Sequence, residues 1–254
     1  MNADEAERLH SALCKITGHL AGVLEGARFE RRDDYSLLAF PTFPLPAFNG
    51  VWAESDAAAP ELEPALAQIE QMGLPVGVTV RAGRAPAVEE VARQLGLTAA
   101  ERIPGMAVAP QDLPPPPPSE LEIIRVETAD GLAQALAVAA TGFEVPPDLL
   151  ASVYMLEVWE LDGIVYYLAR LGERDVSTAL GYSIDGTVGI FNVATPPECR
   201  GRGYGATITA YAARAGFDGG ADLAWLQSSA MGESVYRGLG FREVETYILH
   251  TRPR

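Results

Sequence analysis

Apolar residues recur at helical spacing near the start of the chain. From Leu9 to Leu24 they follow one another at intervals of three and four residues, which predicts an amphipathic helix. The short apolar run at residues 76–80 predicts a strand, and residues 87–95 predict a helix that ends at Gly96. Helix and strand therefore alternate in the first half of the chain.

The second half of the chain shows a longer alternation. Strands are predicted at residues 121–126, 164–169, 178–184, 188–194, 223–226 and 243–250. Helices are predicted at residues 130–140, 147–156, 206–217 and 232–238. Short turns such as Asp185-Gly186 join three strands into an antiparallel meander, and a helix then crosses over to the next strand. This order predicts the α/β class with a mixed sheet.

Five consecutive prolines, residues 114–118, separate the two halves. Proline fixes φ and lacks a backbone N–H, so the run predicts an extended polyproline segment. We interpret residues 113–119 as a stiff linker between an N-terminal domain, residues 1–112, and a C-terminal domain, residues 120–254. A ligand for a proline-recognition module is the alternative interpretation.

The composition is that of a globular protein, with 48% apolar and 21% charged residues. No apolar stretch approaches the ~18 residues that cross a bilayer, and the acidic N-terminus lacks the features of a signal peptide. Cys14 and Cys199 are too few and too far apart for a disulfide framework or a metal cluster. We therefore expect a cytoplasmic protein with no membrane partner and no bound metal.

The formal net charge is −15, and it is spread over both halves. Such a field repels phosphate backbones, which argues against a nucleic-acid partner. It mildly favours a cationic substrate such as an amine, although solubility is the simpler explanation.

The strongest chemical signal is the sequence Arg200-Gly201-Arg202-Gly203-Tyr204-Gly205, directly before the helix predicted from Ala206. Alternate glycines permit a tight turn and a close approach of the backbone to a ligand. The amides at a helix N-terminus favour an anion, and two arginines add positive charge. The pattern fits a pyrophosphate group.

Two other phosphate-binding motifs fit this turn less well. A Walker A loop needs Gly-Lys-Ser/Thr, and the turn has no lysine. Gly201, Gly203 and Ala206 match the dinucleotide fingerprint, with Asp222 at about the expected distance. However, only 48 residues follow Ala206, too few for the rest of a doubly wound sheet. A glycine-rich turn without a ligand is the remaining alternative.

From about residue 121 to its end, the chain resembles the GNAT acetyltransferase superfamily. The family motif Arg/Gln-x-x-Gly-x-Gly/Ala is matched by Arg200, Gly203 and Gly205. Residues 190–196, just before it, are similar to the family's fourth strand.

A second family motif, Tyr-x-x-x-Gly-Phe after a strand and a polar residue, is matched at residues 236–241. Ser229 and Gly232 stand where the family often has asparagine and alanine, so this chain departs from the pattern at both positions.

The resemblance implies a GNAT-like fold and direct transfer of an acetyl group from acetyl-CoA to a primary amine in a ternary complex. It implies that Tyr236 is the general acid or stabilises the thiolate, whereas a lone tyrosine on a helix more often serves packing. The residues that the resemblance assigns to the cofactor are Val193, Ala194, Thr195, Arg200, Gly201, Arg202, Gly203, Tyr204, Gly205, Ala206, Ser229 and Gly232.

Several questions stay open at the level of the sequence. The candidate general bases are Glu144, Glu160, Asp162 and Glu198, and a water relay would also serve. A non-catalytic acyl-CoA-binding or sensing module and a protein-interaction role are the alternative functions. The amine acceptor, a small molecule or a peptide, and the oligomeric state are not indicated.

The two halves echo each other at an offset of 144 residues. Leu95-Gly96-Leu97 corresponds to Leu239-Gly240-Phe241, and both follow a predicted helix. We therefore expect a tandem of two related domains. The same offset carries Tyr236 to Ala92, and Arg200, Gly203 and Gly205 to Asp56, Ala59 and Glu61. The first domain is thus expected to lack a CoA site and to shape the amine entrance.

Overall fold

The structure, a computed structural model, describes residues 3–115 and 120–253. Within them the helices are α1 (Ala3–Val23), α2 (Leu62–Glu70), α3 (Pro86–Gln94), α4 (Ala129–Phe143), α5 (Leu156–Trp159), α6 (Tyr204–Asp218) and α7 (Glu233–Gly238). The strands are β1 (Arg28–Arg31), β2 (Tyr35–Ala39), β3 (Gly50–Ala53), β4 (Gly77–Arg81), β5 (Ala99–Val108), β6 (Glu122–Arg125), β7 (Ile164–Leu171), β8 (Arg174–Ile184), β9 (Thr187–Ala194), β10 (Leu223–Gln227) and β11 (Arg242–Thr251).

The chain divides into two compact units, and neither is a continuous stretch of sequence. Unit 1 consists of the described residues within 1–16 and 105–244, and unit 2 of those within 17–104 and 245–254. The predicted boundary at 113–119 separates the halves of the sequence, whereas each unit takes a segment from the other half. Most of the predicted polyproline segment, residues 116–119, lies outside the described residues. The domain assignment stays a prediction.

In unit 1 the strands lie in the order β5-β10-β9-β8-β7-β6. The strands from β6 to β9 form an antiparallel meander. Helix α6 then connects β9 to β10, which lies parallel to β9. The last neighbour of β10 is the end of β5, residues 105–108, which pairs antiparallel. This confirms the predicted meander and crossover.

Unit 2 repeats the same scheme in the order β1-β2-β3-β4-β11. Strands β1 to β3 are antiparallel, and β4 lies parallel to β3 after the crossover helix α2. The last neighbour of β4 is residues 247–251 of β11, which pair antiparallel. Each unit therefore receives its final strand from the other half of the sequence.

Unit 1 has a core between its sheet and α6, in which Ile190 of β9, Ile208 and Ala212 of α6 and Leu226 of β10 are buried. Because Ile208 and Ala212 lie four residues apart, they share the helix face that the apolar spacing predicts. In unit 2 the corresponding core is built from α2, α3 and the strands β2 to β4.

Ion pairs join the part of α1 that belongs to unit 1 to the rest of that unit. Arg8 pairs with Asp222, Lys15 with Asp185, and Glu5 with Arg242. None of the helices in the described part of the chain combines the length and apolar character needed to cross a membrane.

One predicted element has a different form. Residues 147–156 were expected to form one helix, but they form two 3₁₀ turns, Pro147–Leu149 and Ala151–Tyr154. Pro146 and Pro147 at the start supply no backbone N–H, which removes two donors of a regular helix. The connection from α4 to β7 therefore consists of 3₁₀ turns and the short helix α5.

Candidate functional site

The parallel strands β9 and β10 diverge after a short paired stretch. Within the described residues they pair at three positions, from Thr187 opposite Leu223 to Gly189 opposite Trp225. Strand β9 nevertheless continues to Ala194. The two strands thus part at their carboxyl ends, and the sheet opens there. In α/β sheets, ligands bind at the carboxyl ends of such strands.

Trp225 fills the base of this opening. It is fully buried, and its indole Nε1 donates a hydrogen bond of 3.1 Å to Thr187 Oγ1. Its ring meets Phe191 edge to face, with the ring centroids 5.3 Å apart. The pair of aromatic rings fixes the strands where they separate.

A β-bulge bends β9 within the opening. Leu180 of β8 pairs with Phe191 and Thr178 pairs with Ala194, so Asn192 and Val193 together oppose the single residue Ala179. Asn192 has a φ of 51°, a region that asparagine tolerates better than most residues. Bulges of this kind redirect backbone groups next to active sites.

The end of β9 is held by buried hydroxyl groups. Ser177 Oγ donates to Ala194 O at 2.8 Å and lies 2.9 Å from Thr195 Oγ1. Ser177 is fully buried. The predicted site residues Ala194 and Thr195 are therefore fixed in place, while Val193 is half-buried within the bulge.

The glycine turn follows directly and leads into α6. Gly201 and Gly203 have φ values of 74° and 80°, which L side chains rarely adopt. Helix α6 begins at Tyr204, two residues before the predicted start, so the amides of Tyr204, Gly205 and Ala206 lie in its first turn. Amides of a first turn have no partner within the helix, and they attract anions.

The two arginines of the turn have different surroundings. Arg200 is half-buried: Nε donates to Thr195 O at 3.2 Å, Nη2 donates to Gly142 O at 2.7 Å, and Nη2 also lies 2.9 Å from Glu144 Oε1. Arg202 is exposed, and no hydrogen bond or ion pair joins it to another described residue. Arg200 thus joins the glycine turn to the end of α4. The charge of Arg202, in contrast, is exposed to solvent and is not neutralised by a described residue.

Tyr236 lies on α7, which follows β10. Its ring is half-buried and contacts Phe241, with the ring centroids 6.1 Å apart. Its hydroxyl makes no hydrogen bond to another described residue. Burial raises the pKa of Tyr236 to about 12, so the phenol stays protonated at neutral pH.

The loop before α7 contains the predicted cofactor residues Ser229 and Gly232, which contact other residues of the chain. Ser229 Oγ accepts a hydrogen bond of 3.2 Å from the Gly232 amide. A Cβ on Gly232 would lie 2.8 Å from Cε2 of Tyr236, so glycine makes room for the ring. Gly232 therefore lies against Tyr236, and its hydrogen bond to Ser229 is made just before the start of α7.

The candidate bases have ordinary surface positions. Glu144 is exposed and paired with Arg200, and Glu198 is paired with Arg174. Glu160 and Asp162 lie in the exposed turn before β7. None of these four carboxylates is singled out by its surroundings.

Sequence analysis missed two residues of this site, Ser177 and Asn192. Asn192 follows Phe191 inside an apolar strand. Because asparagine is polar and tolerates a positive φ, its presence there could have indicated a bulge. Ser177 carried no such signal, because its role depends on its pairing with the neighbouring strand.

The equivalent strands of unit 2 stay paired. Strand β3 pairs with β4 at all four of its positions, from Gly50 opposite Gly77 to Ala53 opposite Val80. Asp56, which the offset aligns with Arg200, accepts a hydrogen bond of 2.7 Å from the Ala87 amide at the start of α3. Among the described residues of unit 2 there are therefore neither divergent strands nor a glycine turn after β3.

Residues 135–241 match the acetyltransferase (GNAT) family. The chain thus carries a GNAT acetyltransferase domain, and this domain contains the divergent strands, the glycine turn and Tyr236. Members of this family are acyltransferases. No curated protein matches the chain.

Solved structures share the fold over nearly the whole chain. A GCN5-related N-acetyltransferase from Kribbella flavida is 24% identical, with a TM-score of 0.72 and 95% of each chain covered. A conserved protein of unknown function from Staphylococcus epidermidis ATCC 12228 is 15% identical, with a TM-score of 0.67 over 95% of this chain and 100% of that one. A GCN5-related N-acetyltransferase from Sphaerobacter thermophilus is 17% identical, with a TM-score of 0.61 over 90% and 84%. Structures of this fold therefore match both units, as expected for a tandem of two GNAT-like domains.

Proposed function

We propose that the chain transfers an acetyl group from acetyl-CoA to a primary amine, by direct transfer in a ternary complex. One observation carries this proposal. Strands β9 and β10 are parallel and part at their carboxyl ends, where the glycine turn follows one strand and the loop to Tyr236 follows the other. The glycine turn and the loop that leads to Tyr236 therefore start at the same edge of one sheet, and this arrangement supports the proposal.

The residues present fit acetyl-CoA. A Cβ on Gly205 would lie 3.3 Å from Thr195 Oγ1, so glycine keeps the first turn of α6 open towards the end of β9. The amides of Tyr204, Gly205 and Ala206 suit a pyrophosphate, and Arg202 adds a charge that no described residue neutralises. Arg200 stabilises the turn through its hydrogen bonds to the backbone carbonyl groups of Thr195 and Gly142.

Acetyl-CoA supplies the acetyl group as a thioester when it is bound. The residues of the chain orient the reactants and hold a proton where charge develops. Tyr236, with its pKa raised to about 12, is protonated and can donate a hydrogen bond. A thiol has a pKa of ~8.5, so full proton transfer from this phenol to a thiolate is uphill. We therefore assign Tyr236 the role of stabilising negative charge on sulfur through a hydrogen bond.

The acceptor amine must lose a proton before it attacks, because only the neutral amine has a free electron pair. Glu144 and Glu198 are each paired with an arginine, and no feature of their surroundings marks either one as the base. A water relay to solvent is the simplest route for this proton.

The test is a panel of amines assayed for thiol release from acetyl-CoA, with CoA binding measured in parallel by calorimetry. Acetyl transfer to at least one amine class, lost in the Tyr236→Phe variant, supports the proposal. Tight CoA binding without turnover across the panel indicates an acyl-CoA-binding module instead. Absence of CoA binding contradicts the assigned site.

A further inference from the structure

A buried serine of β8 fixes the direction of a hydrogen bond at the end of β9. Ser177 is fully buried, and its Oγ donates to Ala194 O at 2.8 Å and lies 2.9 Å from Thr195 Oγ1. A hydroxyl group has one proton and two lone pairs. Because Ala194 O can only accept, the proton of Ser177 is used there. The contact between the two hydroxyl groups must therefore use the proton of Thr195.

Thr195 Oγ1 is thus left with lone pairs alone. It makes no further hydrogen bond to a described residue, and Thr195 is half-buried, unlike Ser177. The backbone of Thr195 is already engaged, because its carbonyl accepts from Arg200 Nε at 3.2 Å and its amide lies against Gly142 of α4. The side-chain oxygen is the group of Thr195 that can still accept a hydrogen bond.

This oxygen faces the first turn of α6. A Cβ on Gly205 would lie 3.3 Å from Thr195 Oγ1, so glycine at this position leaves the oxygen uncovered. Gly205 does not have the positive φ of Gly201 and Gly203, and glycine within a helix is less stable than alanine. The close approach to Thr195 is therefore the physical reason for a glycine here.

A phosphate group does not suit this oxygen. At neutral pH the oxygens of a pyrophosphate diester carry no proton, so they are acceptors like Thr195 Oγ1, and two acceptors repel each other. An N–H group is the complementary partner. In acetyl-CoA the groups of this kind outside the adenine are the secondary amides of the pantetheine arm, which joins the pyrophosphate to the sulfur.

We infer that Thr195 Oγ1 accepts a hydrogen bond from an amide N–H of the pantetheine arm, and that Ser177 is a positioning residue that keeps the lone pairs of Thr195 available to it. This inference rests on the proposed use of acetyl-CoA. The glycine turn and Arg202 attract the pyrophosphate, whereas the end of β9 recognises the arm. Ser177 contributes to cofactor binding without touching the cofactor.

Thr195→Val tests the acceptor, because it removes the oxygen and keeps the shape of the side chain. The Kd for CoA should rise about five- to tenfold, the effect of one hydrogen bond. The Kd for ADP, which has the pyrophosphate but no arm, should not change in calorimetry. Thr195→Ser keeps the hydroxyl and should restore most of the affinity. An equal loss for CoA and ADP, as expected from a merely structural role, or an unchanged Kd for CoA overturns the inference.

Ser177→Ala tests the positioning role. It leaves the Thr195 hydroxyl free to rotate, so the Kd for CoA should rise about threefold and that for ADP should stay the same. Combined with Thr195→Val, it should cause no further loss, because Ser177 acts through Thr195. Additive losses would contradict this role. Ser36→Ala is the matched control, since Ser36 is a buried serine of β2 in unit 2 and should leave both affinities unchanged.

Kinetics separate the arm from the acceptor amine, which also carries N–H groups. Thr195→Val should raise KM for acetyl-CoA and leave KM for the amine unchanged. The reverse pattern would assign Thr195 to the acceptor, which overturns the inference but leaves acetyl transfer in place. An unaltered chain with no affinity for CoA would contradict the proposed function itself.

Discussion

Ala92 and Tyr236 occupy the same position in two turns of the same construction. The Ala92 carbonyl accepts from the Leu97 amide at 2.9 Å, and the Tyr236 carbonyl accepts from the Phe241 amide at 3.0 Å. Each turn closes on a glycine of positive φ, Gly96 at 85° and Gly240 at 83°. The similarity at an offset of 144 residues is thus a repeated helix end. Of the two equivalent residues, only Tyr236 carries a hydroxyl group.

We expect one CoA molecule to bind per chain. Unit 2 keeps β3 and β4 paired throughout, and its counterpart of the glycine turn contains Asp56 and Glu61, which repel phosphate. Isothermal titration calorimetry should give a stoichiometry of one. Two sites of similar affinity would show that the first half has kept a functional site.

Gly203→Val should abolish CoA binding. Valine at a φ of 80° is strained by about 1–2 kcal/mol, and its branched side chain blocks the approach of a ligand to the turn. Gly73→Val is a matched control, since Gly73 has a φ of 75° and equally open surroundings. Both variants should lose similar stability in urea denaturation, and only Gly203→Val should lose CoA affinity. Undiminished affinity would exclude this turn as the site.

Tyr236→Phe should lower kcat by about 10²-fold with little change in the Kd for CoA, because it removes one hydrogen bond to developing charge. Tyr211→Phe on the exposed face of α6 serves as the control. Since the pKa of Tyr236 is raised to about 12, this group should cause no fall in activity between pH 7 and 10. An unchanged kcat, with chemistry shown to limit the rate, would remove Tyr236 from the mechanism.

Arg202 and Arg200 should behave differently when replaced by alanine. Arg202→Ala should weaken CoA binding about tenfold, less so at high salt, and should not change stability. Arg200→Ala should cost about 1–3 kcal/mol of stability, because two carbonyl groups and Glu144 lose their partner. Calorimetry and urea denaturation separate the two effects. Loss of affinity without loss of stability in Arg200→Ala would indicate a direct contact with phosphate.

Buried tyrosines should destabilise the protein at alkaline pH. Burial raises the pKa of both Tyr154 and Tyr166, so the folded state keeps two protons that the unfolded chain releases above pH ~10. Stability is therefore unaffected below that pH and falls above it, by about 1.4 kcal/mol per pH unit for each group. Tyr166→Phe should reduce this slope by one group's share in urea denaturation at pH 9 to 11. An unchanged slope would contradict the assignment.

The sequence predicts the part of the fold that local pattern controls. The apolar patterns of the strands from β6 to β10 are clear, and the glycine turn overlaps the start of α6, so the meander, the crossover and the turn were predicted. Strand β1 was missed because Arg28–Arg31 is a short, charged segment with mostly exposed side chains. Its strand conformation comes from pairing with β2, which no local pattern records.

In the candidate site, too, local motifs could be predicted from the sequence and contacts between distant residues could not. The turn and Tyr236 belong to local motifs and could be named in advance. The hydrogen bond from Arg200 to Gly142 O spans 58 residues and could not be predicted from the sequence, while the predicted contact of Arg200 with phosphate stays a prediction. Sequence spacing alone does not show which partner a long side chain takes.

The exchange of final strands has a consequence for inheritance as well as for folding. A chain cut between residues 115 and 120 would give two pieces, each holding residues that the other unit needs: 105–108 to pair with β10, and 247–251 to pair with β4. Neither piece could complete its sheet alone, so the pieces should fold only when mixed. A gene that encodes such a tandem cannot lose its first half without removing residues 105–108, the antiparallel partner of β10.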